Sequence, residues 1–290
     1  MIPGDTVDML TDRMTFEQKE IQRKLFGFDQ PLVVQYGQWM GNVVQGNLGV
    51  SLRSGNNVVT EITQVVPATL QLGVFGGFIG ILLGVFIGIV SAVRQDTLVD
   101  KSLRFVAYLG ISLPEFWLGT LLILLFSVTF QILPAGGYVA FSEDPIESLR
   151  VTLLPALVLG FAMAAFLGRV VRSSMLEILR QDFLVVAKSK GLPVRTILLK
   201  HALRNAAAPI ITLIGLQIAF LISGSVIIEE VFVRPGLGRL LIRSIFQRDY
   251  PVVQGITLLF AVIFVTTNLI IDIIRGILDP RVGEAERLGK

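Results

Sequence analysis

The sequence contains no cysteine. That removes disulfides, thiolate metal sites, iron–sulfur clusters and cysteine nucleophiles together, and leaves the compartment open. Histidine occurs once, as His201. No carboxylate pair, metal-spaced ligand set or nucleophile–base pair stands inside the apolar segments. An intramembrane protease or metal enzyme has little to work with on that inventory, so no catalytic residue and no metal site are expected. A phosphate-binding loop is missing as well. Gly283 to Lys290 has the outline of one, but five residues separate its glycines instead of four and no strand precedes it. Charge is also scarce, at 16% of residues, against roughly 25% in soluble domains.

What fills the chain is apolar: 53% of its 290 residues are hydrophobic. A helix needs about 20 largely apolar residues to cross the hydrocarbon core of a membrane. Five segments qualify: 70–93, 105–130, 153–171, 206–228 and 252–274. The first carries no charge at all, and the third is short, rich in Gly and Ala, and starts near Pro155. The runs are too long for strands and lack period-two alternation. The expected fold class is therefore all-α, a polytopic helical bundle in a membrane.

Charge asymmetry sets the expected orientation. The 94–104 and 169–204 loops and the tail from 275 hold 15 Lys and Arg, against 10 in 1–66, 131–150 and 229–250. The first set, with the C-terminus, reads as cytoplasmic. Arg234, Arg239, Arg243 and Arg248 run against this reading. Five spans then leave residues 1–66 outside, yet Met1-Ile2-Pro3-Gly4-Asp5 has neither the basic nor the apolar part of a signal peptide. A further span before Met1, making six in the full-length protein, is the expected resolution.

Gly76, Gly80, Gly84 and Gly88 recur every four residues in the first span and form a stripe on one helix face. In lipid, small residues let helix backbones approach, so the stripe reads as a packing face whose partner is open. Pro114 predicts a kink in the second span. Glu115 follows it, and an ionisable group at membrane depth faces protein or a water-filled path. Glu115, Gln217 and Asn268 are the candidate path-lining residues, with Ser223 and Ser225 as further polar groups. Each has a purely structural alternative as an interhelical hydrogen-bonding group.

The 169–204 loop is the most informative stretch. It carries eight Lys and Arg against Glu177 and Asp182. Such charge anchors a loop at anionic headgroups. Within it, Phe183-Leu184-Val185-Val186-Ala187 lies between Asp182 and Lys188, and Gly191 and Pro193 punctuate the end of a short helix. A short helix with one apolar face on a basic loop suits docking into a groove of a soluble partner.

The run Gln181-Asp182-Phe183-Leu184-Val185-Val186-Ala187-Lys188-Ser189-Lys190-Gly191-Leu192, with His201-Ala202-Leu203-Arg204-Asn205 and Pro209, resembles the coupling loop of ABC importer permeases of the dipeptide/oligopeptide/nickel branch. Val185 stands where the general importer motif has Glu, a departure usual in that branch. Gly27-Phe28-Asp29-Gln30-Pro31, Gly46-Asn47-Leu48-Gly49, Pro67-Ala68-Thr69-Leu70, Glu230-Val231-Phe232, Pro235-Gly236-Leu237-Gly238 and Arg248-Asp249-Tyr250-Pro251 resemble other parts of the same branch, in the same order.

The resemblance implies a type I ABC importer transmembrane fold. An external segment would occupy 1–66, the permease domain 67–279 with its coupling loop at 172–204, and a cytoplasmic tail 280–290. It implies that Asp182, Ala187, Lys188, Gly191, Leu192, Arg204, Asn205 and Pro209 serve ATPase coupling. Implied partners are a second homologous permease, two cytoplasmic ATPases, an external solute-binding protein and membrane lipid, with no nucleic acid. No cofactor is expected on this chain, because ATP and Mg would be used by the partner ATPases. The implied setting is a bacterial or archaeal inner membrane, and the implied cargo is peptides, nickel chelates or related small solutes. An ion-coupled secondary transporter or a channel is the alternative, with only Glu115 and Asp272 as ionisable candidates in the spans.

Overall fold

The computed structural model describes Glu17, Ile21 and residues 29–278. Met1–Asp5, Gly27, Phe28, the 280–290 tail and the side chain of Ser223 lie outside that description. Among the described residues there is no β-strand, only an isolated bridge between Val50 and Asn57. Helix α1 (Leu32–Val44) precedes α2 (Val58–Val93), whose first turn is capped by the Asn57 side chain accepting from the Val59 N–H at 2.8 Å. At 1.5 Å per residue α2 is about 54 Å long, well beyond a hydrocarbon core of about 30 Å. The apolar run from 70 is thus the membrane part of a longer rod, and Pro67 lies inside the helix.

The expected kink at Pro114 is a complete break. Helix α3 (Leu98–Ser112) ends, Leu113 and Pro114 are extended, and α4 (Glu115–Leu122) leaves at 105° and runs on as a π-helix over Ile123–Thr129. Proline disfavours helical geometry at the residue before it, and here that residue leaves the helix altogether. Glu115 consequently opens a new helix.

Helix α5 (Pro145–Leu179) corrects the reading of the third segment. It is 35 residues long, carries Pro155 in its interior, and is capped by Asp144 with Pro145 at its first position. It is also mostly buried, packed against α2, α3, α4 and the later helix α7. A helix with protein on most sides needs small residues more than a continuous apolar surface, which is why its composition read as weak.

After α5 come α6 (Asp182–Ser189), a helical stretch Val194–Asn205 with a π-turn at Ile197–Ala202, α7 (Ala207–Val231), α8 (Leu237–Phe246) and α9 (Tyr250–Leu278). Among the described residues three helices are long and apolar enough to cross a membrane alone, and up to five spans result if each bent pair counts as one.

The parallel α2–α5 pair is the most extensive helix contact. An ideal Cβ on Gly76 would lie 2.9 Å from Leu159 Cδ2, one on Gly80 2.8 Å from Met163 Cβ, and one on Gly84 2.8 Å from Leu167 Cβ. One on Gly88 would collide with Val171. The stripe therefore faces a matching row, four residues apart, on α5 of the same chain. Gly160 and Gly168 of α5 return the contact against Ile79 and Ile87.

Loops segregate by end. The turn after α2, the start of α3, the end of α5 and α6 share one end, joined by the Asp100–Arg172 ion pair and a common apolar cluster. Loops 49–57, 131–144 and 232–250 share the other, joined by contacts of Asp249 with Ser51 and of Arg234 with Gly137.

Candidate functional site

Two places carry the candidate residues. The first is a cavity of about 220 Å³ lined by Glu115 at the start of α4, Leu159, Met163 and Phe166 of α5, and Gln217 and Leu221 of α7. The break at Leu113-Pro114 is what delivers Glu115 there: α4 begins at this carboxylate, with the N-terminal end of its dipole beside it. Glu115 and Gln217, more than 100 residues apart in sequence, thus share one polar edge of a largely apolar chamber. Asn268 lies on α9, outside this cavity.

The second place is α6. Leu184 and Ala187 are 1% and 8% exposed and sit in one apolar cluster with Ala92 of α2, Leu167, Val171 and Met175 of α5, and Ala206 and Ile210 at the start of α7. Phe183, Val185 and Val186 point away and are 44%, 58% and 53% exposed. Asp182 in the first turn and Lys188 in the last match the helix dipole. The helix stops at Ser189, and Gly191 adopts φ +74°, a left-handed conformation in which a side chain is strained. Nothing crowds the Gly191 Cβ position, so its need for glycine is conformational. Asn205 donates from Nδ2 to the His201 carbonyl at 2.6 Å, Arg204 is exposed, and Pro209 falls in the first turn of α7, where a missing N–H costs nothing.

Two buried polar clusters brace these places and were not legible as such. At the α6 end, Asp100 is fully buried and accepts from Arg172 Nε and Nη2, both at 2.9 Å, from Ser91 Oγ and from the Asp96 N–H, with Arg104 Nε at 3.3 Å. This clamp ties the end of α2 and the start of α3 to α5 one turn beyond Gly168.

At the opposite end Glu229 is fully buried. Its Oε1 accepts from Thr69 Oγ1 at 2.7 Å and Ser225 Oγ at 3.0 Å, and its Oε2 from the Arg239 N–H at 3.0 Å. Thr69 Oγ1 in turn accepts from the Leu237 N–H at 2.8 Å. Helix α8 has no cap of its own at Gly236, so α2 and α7 cap it from outside. A Cβ on Gly236 would collide with the Glu229 carboxylate, which explains glycine there. Arg234, also fully buried, donates to Gly137 O and Thr152 Oγ1, both at 3.2 Å, and stands over the Tyr138 ring. Its charge is thus structural, which removes one of the four arginines that ran against the expected orientation.

This arrangement of long paired helices, a broken span and a short helix projecting from a basic loop is the fold of an ABC importer transmembrane subunit. A chain described under inward-facing conformations of the MetNI methionine ABC transporter superposes with TM-score 0.63 at 16% identity, over 76% of this chain and 97% of that one. Residues 80–284 match the family described as binding-protein-dependent transport system inner membrane component, and the chain belongs to that family. The oligopeptide transport system permease protein AppB of Bacillus subtilis is 38% identical over 284 residues, covering 97% of this chain and 90% of AppB. The di/tripeptide transport system permease protein DppB of Pseudomonas aeruginosa is 36% identical over 304 residues with the same coverage.

Proposed function

We propose that this chain is a peptide permease subunit that forms one side of the translocation path and takes its driving motion from cytoplasmic ATPases through α6. The observation that carries this is the two-sided seating of α6. Leu184 and Ala187 are fixed among the ends of α2, α5 and α7, while Phe183, Val185 and Val186 are presented outward on the most basic loop. An apolar face held out on rigid supports is suited to a groove in a soluble partner. The 94–104 and 169–204 loops then lie in the cytoplasm, as does the C-terminus, in line with their charge.

The peptide assignment rests on relatives that carry peptide-transport names. Nickel chelates or related small solutes fit the same family. A second homologous permease completes the path, an external binding protein delivers solute, and two ATPases use ATP and Mg; no cofactor binds here. Glu115 and Gln217 supply the polar edge of the path on this side.

The test is Gly191→Arg beside a deletion of residues 184–191 in the co-expressed transporter. Membrane insertion survives in both, while ATPase co-purification and peptide uptake are lost. Normal uptake by both variants would refute the coupling role. Uptake by this chain alone in vesicles, driven by an ion gradient, would replace the reading with that of a secondary transporter.

A further inference from the structure

A second cavity, of about 250 Å³, lies between α2, α3 and α5 at the α6 end. Its polar lining comes from Ser91 of α2, Arg104 and Tyr108 of α3, and Arg169, Arg172 and Ser173 of α5. Its apolar lining includes Ile87 of α2, Ile111 of α3 and Ala165 of α5. The order along each helix is the same. α3 enters from Arg104 through Tyr108 to Ile111, α5 leaves from Ala165 through Arg169 to Arg172, and α2 leaves from Ile87 to Ser91. Gly110 packs on Ala165 and Asp100 pairs with Arg172, so the three polar ends coincide and the three apolar ends coincide. The boundary falls at Arg169 to Arg172, where the apolar run 153–171 ends.

Charge in this cavity is unbalanced. Three guanidiniums line it and one carboxylate touches them, with Asp96 acting on Arg172 from further off: Asp100 binds Arg172 bidentately and touches Arg104 only through Nε at 3.3 Å. Arg169 makes no ion pair among the described residues and rests on Phe166, 5.8 Å from the ring centroid. A net positive charge at the edge of a hydrocarbon layer calls for an anion, and guanidiniums bind phosphate oxygens well. The volume is below the roughly 300 Å³ of ordinary small-molecule sites, so it takes a headgroup and not a whole ligand.

We infer that this cavity holds the phosphate of an anionic membrane phospholipid, with Arg104 and Arg169 as its ligands and the first acyl carbons lying against Ala165, Ile111 and Ile87. Basic pockets between helices on the cytoplasmic side are of this type. The inference requires only that the chain spans a membrane, and stands whether or not α6 couples to an ATPase.

The experiment is native mass spectrometry of the full-length protein from mixed micelles of phosphatidylcholine and phosphatidylglycerol. Wild type retains phosphatidylglycerol in preference. Arg169→Gln and Arg104→Gln each weaken retention about fivefold, the effect of one basic group near the membrane surface. Arg94→Gln, an exposed arginine outside the cavity, leaves retention unchanged. The inference is overturned by equal retention of the two lipids in wild type. It is also overturned by an equal loss in Arg94→Gln, which would make the effect general charge. Displacement of the lipid by free glycerol phosphate would assign the cavity to a soluble anion and overturn it as well. Thermal unfolding of each variant at the wild-type temperature separates loss of ligand from loss of fold.

Discussion

Replacing the stripe glycines one at a time by alanine tests the α2–α5 contact as a graded series. Alanine in place of glycine inside a helix gains about 1 kcal/mol of intrinsic propensity. Where the new methyl group meets close-packed neighbours, overpacking costs about 1–3 kcal/mol. The structure decides which term wins at each site. Gly73 has no atom within 4 Å of its Cβ position, so Gly73→Ala is neutral or stabilising. Gly76 would meet first the Cδ2 of Leu159 at 2.9 Å, and a leucine tip can rotate. Gly80 and Gly84 would meet the Cβ atoms of Met163 and Leu167 at 2.8 Å, which move only with the α5 backbone. Gly88 would collide with Val171, stiff at χ1, and lie 2.8 Å from the backbone oxygen of Gly168. The expected order of stability is Gly73→Ala above Gly76→Ala, then Gly80→Ala and Gly84→Ala, with Gly88→Ala lowest by about 1–2 kcal/mol net. Thermal unfolding of the purified protein in one detergent reads the series. Equal stability of the Gly73 and Gly88 variants would refute the interface as described.

Three further outcomes follow from the polar groups. Glu115→Gln leaves insertion and assembly intact but lowers peptide uptake in reconstituted vesicles about tenfold, the value of one hydrogen bond to a charged group; unchanged uptake would show that cargo does not touch this carboxylate. Glu229→Gln turns an amide toward the donors that cap α8 and costs about 1–3 kcal/mol in thermal unfolding. Thr69→Val costs a similar amount, and because both serve one network the double variant loses less than the sum. Asp100→Asn leaves Arg172 and Arg104 without their common anion and costs about 2–3 kcal/mol, toward the low side for a broken pair because Arg172 is partly exposed.

Much of this was legible because lipid imposes simple rules. The apolar runs located the membrane helices, and the period of four in the glycines marked a packing face, since only small residues admit a second backbone. The partner was hidden for the same reason it is a good partner. α5 is enclosed by protein, so its Gly- and Ala-rich sequence read as a short and weak span, 153–171, beginning near Pro155, when it is a long central helix. Pro114 was visible, but whether proline bends a helix or ends it depends on what the next residues pack against. Glu115 and Gln217 were found one by one as polar groups at membrane depth; their convergence on one cavity needed the 105° turn. Glu229 and Arg234 were the least legible. Charge at a loop end reads as solvated or as a topology signal, and only the fold reveals both as buried and hydrogen-bonded.

The same contacts indicate where movement can occur. α5 supplies Leu167, Val171 and Met175 to the seat of α6, Arg172 to the clamp on α3, and Leu159 and Met163 to the wall of the Glu115 cavity. Leu159, Met163, Leu167 and Val171 are also the residues locked against the glycine stripe. A displacement of α6 therefore cannot slide α5 along α2 without driving side chains into the backbone of the stripe. On the proposed reading the pair moves as one body, and α3 moves with it through Asp100. Freedom remains at the two helix breaks, at Leu113-Pro114 and at the 64° bend between Asn205 and Ala207. Those breaks begin α4 and α7, the two helices that bring Glu115 and Gln217 to the cavity. On the proposed reading, motion received at α6 is expressed as a change in the distance between those two polar groups and the α5 wall. Paired spin labels at Ala162 and Ile218 measure it: their separation changes when ATP binds the assembled transporter. Labels at Phe78 and Ala162, across the locked pair, keep theirs, and a change there of the same size would exclude the rigid-pair mechanism.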